Sequence, residues 1–329
     1  MNVSLSLATI KGGDMDTKQT VWTSWRAGLS LIAFAAAACM LGNSVWAQEG
    51  EEAADASGSE EADPDAIEEI TVVGSRVRGR SETDSPVPVD VIDGEDFRRQ
   101  GTSDLDSLVA TLVPSYNVSA EPISDAATIM RPANLRGLSP DATLVLVNGK
   151  RRHRGAVIAL LGSGVSAGSQ APDLASIPGI AIERLEVLRD GASAQYCSDA
   201  IAGIMNFVLK GKNAERMFEF KTGSTYETDG GEYTLAANFP APMGENGWLN
   251  ISMEYREVGP TDRAVQRSDA QDLIDAGNEF VRTPHAMVWG TPEVRGDFKL
   301  FANAGVELSD ESEWYGWGNR SVRNVEGGF

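Results

Sequence analysis

The sequence predicts an α+β domain over residues 85–212, followed over residues 213–329 by antiparallel strands of an incomplete transmembrane β-barrel. Three observations lead there. A secretory-type signal opens the chain. The middle stretch mixes short strand-like runs with two short helices. Beyond Lys212, apolar and polar residues alternate strictly in segments of about ten residues, the pattern of strands with one apolar face.

The first 47 residues read as a signal peptide. Lys18 and Arg26 form a positive region, Ala27 to Leu41 a short apolar core, and Val45-Trp-Ala47 a small-residue cleavage site before Gln48. That core is shorter than the ~20 residues a spanning helix needs. Residues 1–14 add nothing the signal requires, which makes Met15 a second candidate start. A lipoprotein signal acylated at Cys39 is disfavoured, since Ala36-Ala-Ala-Cys39 lacks the usual Leu and apolar residues continue past it. Cys39 leaves with the signal, so Cys197 stands alone and no intrachain disulfide or cysteine metal site is expected. With only His153 and His285, a histidine metal site is not expected either, and no cofactor is implied.

Residues 48–84 are rich in Ala, Gly, Ser, Glu and Asp, too polar and like-charged to bury a core, which predicts a disordered acidic tether. Within it Glu69-Ile-Thr-Val-Val-Gly74 is the first β-prone run. The formal charge of −20 excludes nucleic acid as a partner, because phosphate binding needs a basic face. Basic residues gather only at Lys150-Arg-Arg-His-Arg154. Such a run is ordinarily a solvated turn; its functional reading makes Arg151, Arg152, His153 and Arg154 an anion-contacting loop that faces a ligand.

The α+β domain starts with Val87, Val89 and Val91 alternating as a strand, turned by Asp93-Gly94. Glu95 to Gln100 is a short helix. Ser103 is expected to cap a second one, in which Leu105, Leu108, Val109 and Leu112 share a face, and Pro114 stops it. Thr143-Leu-Val-Leu-Val147 is a strand running into Asn148-Gly149, a hairpin turn signal. Ile182 to Arg189 and Gly203 to Lys210 are two further strands around a Gly- and Ser-containing turn.

Past Lys212 the alternating runs are Phe218 to Thr222, Tyr233 to Phe239, Leu249 to Arg256, Leu300 to Leu308 and Glu313 to Val322. Gly259 to Pro292 forms no clear strand and is expected to be a long loop. A soluble β-sandwich alternates similarly; the export signal favours the membrane barrel. A run of about five strands is too few to close one, and an open edge would leave backbone groups unpaired in lipid. This chain is therefore expected to be part of a longer product or a truncated one.

Several of these segments resemble the plug domain of TonB-dependent outer-membrane receptors. Ser85-Pro-Val-Pro-Val-Asp-Val-Ile is similar to its opening strand, Asn134-Leu-Arg-Gly137 to its Leu-Arg-Gly motif, and Leu144-Val-Leu-Val-Asn-Gly149 to its strand-turn. Ile182-Glu-Arg-Leu-Glu-Val-Leu-Arg189 through Tyr196 and Gly203 to Lys210 resemble its closing strands, with Cys197 where the family usually has glycine. The resemblance covers residues 68 to about 212 and, more weakly, the strands beyond. It implies that Glu69, Ile70, Thr71, Val72 and Val73 are a TonB box, a segment suited to adding as a strand to a partner's sheet edge. It also implies that Arg136 and Arg189, with Glu186 nearby, lock the plug to barrel glutamates; the same arginines could instead tie the plug's own sheet together. The function implied is ligand uptake across the Gram-negative outer membrane, the plug gating the lumen. TonB in the periplasm, outer-membrane lipid and a small ligand such as a siderophore or a saccharide are the partners. The alternative is a periplasmic plug module that binds TonB or ligand without transport.

An enzyme is not expected. Gly164-Val-Ser166-Ala-Gly168 spells a nucleophile elbow and His285 follows in order, but Ser169-Gln-Ala-Pro172 does not continue as the helix an elbow needs. Gly162-x-Gly164 lacks the Lys-Ser/Thr pair of a phosphate loop.

Overall fold

The structure, a computed structural model, describes residues 5–6, 89–118, 130–159, 164–189, 193–196, 198–287, 289–309 and 312–327. The signal peptide (apart from Leu5–Ser6), the acidic tether with Glu69 to Val73, and Cys197 lie outside the described residues. In chain order the strands are β1 (Leu5–Ser6), β2 (Val89–Asp93), β3 (Tyr116–Val118), β4 (Ala133–Leu135), β5 (Thr143–Val147), β6 (Lys150–Arg151), β7 (Ile182–Leu188) and β8 (Gly203–Leu209). Then come β9 (Met217–Gly223), β10 (Glu232–Met243), β11 (Gly247–Val258), β12 (Glu293–Ser309) and β13 (Ser312–Glu326).

The α+β domain is built on a five-stranded sheet of order β2-β7-β8-β5-β6, in which β5 and β8 run parallel and the other neighbours antiparallel. Both faces are apolar, which is why β5 and β8 read as continuous apolar runs. One face carries Val145, Val147, Leu185, Val187, Met205 and Phe207 in the main core. The other carries Val89, Leu144, Leu146, Leu188 and Ile204. Between β5 and β6, Asn148 and Gly149 both adopt positive φ (47° and 69°), the backbone a two-residue hairpin turn demands.

The helix α1 (Gly94–Arg98) is capped by Asp93, whose carboxylate accepts from the Glu95 N–H. The helix α2 (Leu105–Leu112) buries Leu105, Leu108 and Val109 in the main core. Its cap position falls on Asp104, not on the expected Ser103, and the Asp104 side chain caps no backbone N–H of the first turn. The Asp104 carboxylate is engaged elsewhere, by Arg131 and by the Ser107 hydroxyl.

After the domain, β9 to β13 form an antiparallel meander, with β1 adding two residues in parallel to the outer side of β13. The 259–292 connection between β11 and β12 is the expected long loop and contains a short helix, Ser268–Asp275. No closed barrel exists among the described residues.

The face that these strands bury separates a membrane barrel from a sandwich. On β11 the buried residues are Asn250, Ser252, Glu254 and Arg256; on β12 they are Val294, Asp297, Lys299, Phe301, Asn303 and Gly305, so the polar side chains predominate. Leu249, Ile251, Met253, Leu300 and Ala302 alternate with them on the opposite, more open face. A sandwich buries its apolar face; here the polar face is inside, which is the barrel arrangement.

Candidate functional site

The candidate functional surface is the contact between the α+β domain and the wall of strands. It is polar, buried and densely hydrogen-bonded. At its centre is the chain's own crossing from β8 to β9. The Lys210 carbonyl accepts hydrogen bonds from Asn250 Nδ2 (3.0 Å) and Asn303 Nδ2 (2.9 Å), on adjacent wall strands. Asn238 supports them: its Oδ1 accepts from Asn250 Nδ2 (3.0 Å) and the Ser252 hydroxyl (2.8 Å).

Beside this ladder Glu254 faces the three-residue turn Gly179–Ala181. Its Oε2 accepts the Gly179 N–H at 3.1 Å, and its Oε1 the Lys299 ammonium at 2.6 Å. Lys299 also lies 3.6 Å from Asp297. Cross-strand registration explains the pair, since Glu254 and Lys299 are direct partners on β11 and β12. All three charged side chains are fully buried, which such groups tolerate only when paired.

A third contact joins the β5–β6 hairpin to β13. Asn148 donates to the Tyr315 hydroxyl. Arg152 donates to Asn319 Oδ1 (2.9 Å) and Ser176 Oγ (3.0 Å), and its guanidinium lies 5.7 Å from the Trp317 ring centroid. Trp317 in turn packs on Phe301, the wall residue that enters the main core. Gly305 makes room on the same face: a Cβ there would come within 2.5 Å of Trp248 Nε1, which instead donates to Glu313 at 3.0 Å.

Inside the domain, Asp104, Asp106, Arg131 and Tyr116 form a buried cluster. Arg131 bonds Asp104 and lies 3.3 Å from Asp106, whose other oxygen accepts from the Tyr116 hydroxyl at 2.8 Å. Burial works to raise both carboxyls. For Asp104 the adjoining Arg131 outweighs it and holds the group well below the usual carboxylate range, whereas Asp106 is pushed up to about 6. One arginine serves two carboxylates, so one of them keeps its proton more readily.

The expected site residues fall differently from the anticipated pattern. Arg136, Arg189 and Glu186 make their described bonds within the domain and not to wall glutamates. Arg189 forks onto Asp90, with Nε and NH2 each 2.7 Å from a carboxylate oxygen, across the β2–β7 edge. Arg136, in a left-handed conformation (φ 59°), donates to the Arg189 carbonyl at 3.1 Å. Glu186 is buried between Arg184 (3.0 Å) and Asn206 (2.9 Å). Of the residues expected to face a ligand, Arg152 is instead buried against β13 and Arg151 is pinned by Asp199, while His153 and Arg154 stay exposed. Partial desolvation of its ring by the surrounding loop, and then the neighbouring Arg152 charge, lower the His153 pKa.

Of the residues that join domain to wall, sequence singled out Arg152, though for a different role, the hairpin Asn148, and the alternation that puts Asn250, Glu254 and Asn303 on one face. Ser166 sits in a short turn with its hydroxyl buried, not on a strand-to-helix elbow. His285 instead pairs with Asp262 at 3.2 Å in the long loop.

Residues 81–204 match the family model of the TonB-dependent Receptor Plug Domain. Residues 81–204 are thus a plug domain of the TonB-dependent receptor type, and antiparallel strands follow it. A ferric enterobactin receptor of Pseudomonas aeruginosa is 29% identical over 249 residues, which is 74% of this chain and 30% of that protein. The vitamin B12 transporter BtuB of Photobacterium profundum is 32% identical over 120 residues, 36% of this chain and 17% of its own. A solved structure of a variant of the P. aeruginosa ferric enterobactin receptor PfeA superposes with a TM-score of 0.52 at 21% identity, over 74% of this chain and 34% of the other, a likeness of fold. The chain thus spans no more than about a third of the length of these relatives. These relatives are receptors and transporters, not enzymes.

Proposed function

We propose that the chain is the gate-bearing part of a TonB-dependent outer-membrane receptor that takes up a small ligand, of the iron–siderophore class. One observation carries the reading: the wall buries Asn250, Glu254, Lys299 and Asn303 against the plug and turns Leu249, Ile251 and Leu300 outward, an inside-out pattern suited to lipid. The ligand class rests on relatives named as ferric enterobactin receptors; the cobalamin class is the alternative, from those named as vitamin B12 transporters. In this reading Glu69 to Val73 is the TonB box. A β-prone segment on an acidic tether can add as a strand to TonB, with about 0.5–1.5 kcal/mol from each backbone bond. The pull would rearrange the plug and admit the ligand.

The experiment is fractionation of cells expressing the whole reading frame that encodes these residues, with capture of the TonB periplasmic domain from the extract. The expected result is recovery in the outer-membrane fraction and TonB capture that is lost in Val72→Pro, which removes a ladder donor. Recovery in the soluble periplasm alone would refute the transporter reading and leave a free plug module.

A further inference from the structure

We infer that the wall fastens the plug at one corner by gripping its main chain, and that Asn250, Asn303 and Glu254 are the positioning residues that do so. This rests on the receptor reading above and adds to it the point at which the gate is held.

Two backbone groups of the plug are taken by wall side chains at this corner. The Lys210 carbonyl has two lone pairs, and Asn250 and Asn303 fill one each. The Gly179 N–H is accepted by Glu254, which Lys299 aims from the other side. The two gripped segments are tied to each other, since the Lys210 N–H donates to the Ala181 carbonyl at 2.9 Å. Corner and grip form a closed set of bonds: wall to Gly179, Gly179 turn to Lys210, Lys210 to wall. Every side chain in it is buried, so water does not compete for these bonds.

Among the described bonds, Asn250, Asn303 and Glu254 take no plug side chain. The Lys210 side chain makes no described bond to the wall strands Asn250 and Asn303 occupy; its Nζ lies 3.9 Å from Met217 Sδ, at the start of β9. The contact is therefore indifferent to what residue stands at position 210 and sensitive to the wall amides. It is also redundant, because a carbonyl that loses one of two donors is still satisfied, while one that loses both is left buried without a partner.

The test is hydrogen–deuterium exchange on the full chain in detergent, read at the amides of residues 208–211 and at Gly179. Asn250→Ala and Asn303→Ala are each expected to raise exchange at 208–211 by less than about threefold, and the double variant by more than about thirtyfold. Lys210→Met leaves it unchanged. Additive single effects, or a Lys210→Met effect as large as the double variant's, would overturn the inference. If the double variant does not accumulate, Glu254 supplies the decision. Glu254→Gln keeps an acceptor oxygen and is expected to raise Gly179 exchange less than about threefold, against more than about tenfold for Glu254→Leu. Equal effects of the two would refute the grip. Failure here leaves fractionation and TonB capture untouched, so the two readings fall separately.

Discussion

Arg152 offers the sharpest test of how the plug meets the wall, because a conservative replacement should harm it more than an apolar one. The side chain is 3% exposed and has no carboxylate within ion-pair distance among the described residues. Burial pushes its guanidinium down to about 10, so holding the charge there costs on the order of 3 kcal/mol. Against that stand two hydrogen bonds from a charged donor, about 1.5–3 kcal/mol each, and the Trp317 contact, about 0.5–2 kcal/mol. Arg152→Met gives up the bonds and the burial cost together while keeping most of the volume, for a net loss of about 1–2 kcal/mol. Arg152→Lys keeps the cost but cannot span Asn319 and Ser176 at once with a single ammonium, for a loss of about 2–4 kcal/mol. The lysine's folded pKa would lie below its unfolded value. The unfolded chain then binds more protons in that window, and Arg152→Lys regains stability as pH rises toward about 10.4. Denaturant unfolding in detergent, followed by tryptophan fluorescence, measures both variants across pH. A lysine variant more stable than the methionine variant at neutral pH would refute this account of the contact.

Asp106, pushed up to about 6, binds its proton more tightly folded than unfolded, so the wild type loses stability relative to Asp106→Asn as pH rises from about 4 to 6, by up to about 3 kcal/mol; unfolding titrations check this, and a pH-independent difference would remove the shared-proton account. Gly203 sits at φ 145° with an added Cβ only 2.3 Å from the Leu188 carbonyl oxygen, so Gly203→Ala should cost at least ~2 kcal/mol in thermal unfolding. Leu300 lies on the outward face of β12, and Leu300→Arg should cost up to about 2–4 kcal/mol in a bilayer and reduce outer-membrane assembly; unchanged assembly would argue that this face does not meet lipid.

Much of the fold was legible because its signals are local. The Asn148-Gly149 turn, the apolar run of β5 and the period-two strands after Lys212 each depend on residues within a few positions of one another. The boundary of α2 was misjudged by one residue, since Ser103 and Asp104 are both good caps and only the distant Arg131 decides what Asp104 does instead. The site was far less legible. A run of five residues with four basic side chains looks solvated on average, and nothing local marks Arg152 as the one that turns inward.

The sequence by itself determined that this chain is a short α+β domain followed by strands with one polar and one apolar face. Which of those faces is buried was decided only by tertiary structure, because alternation is the same pattern whether the polar or the apolar side faces in. Partner choice was decided there too. Arg152 and Asn319 are 167 residues apart, and Lys210 and Asn303 are 93 apart. Bonds over such separations exist only once the wall has closed against the plug. For the same reason Arg189 meets Asp90, 99 residues away, across a sheet edge rather than a glutamate of the wall. Local chemistry sets what each residue can bond, and chain topology sets which groups come within reach.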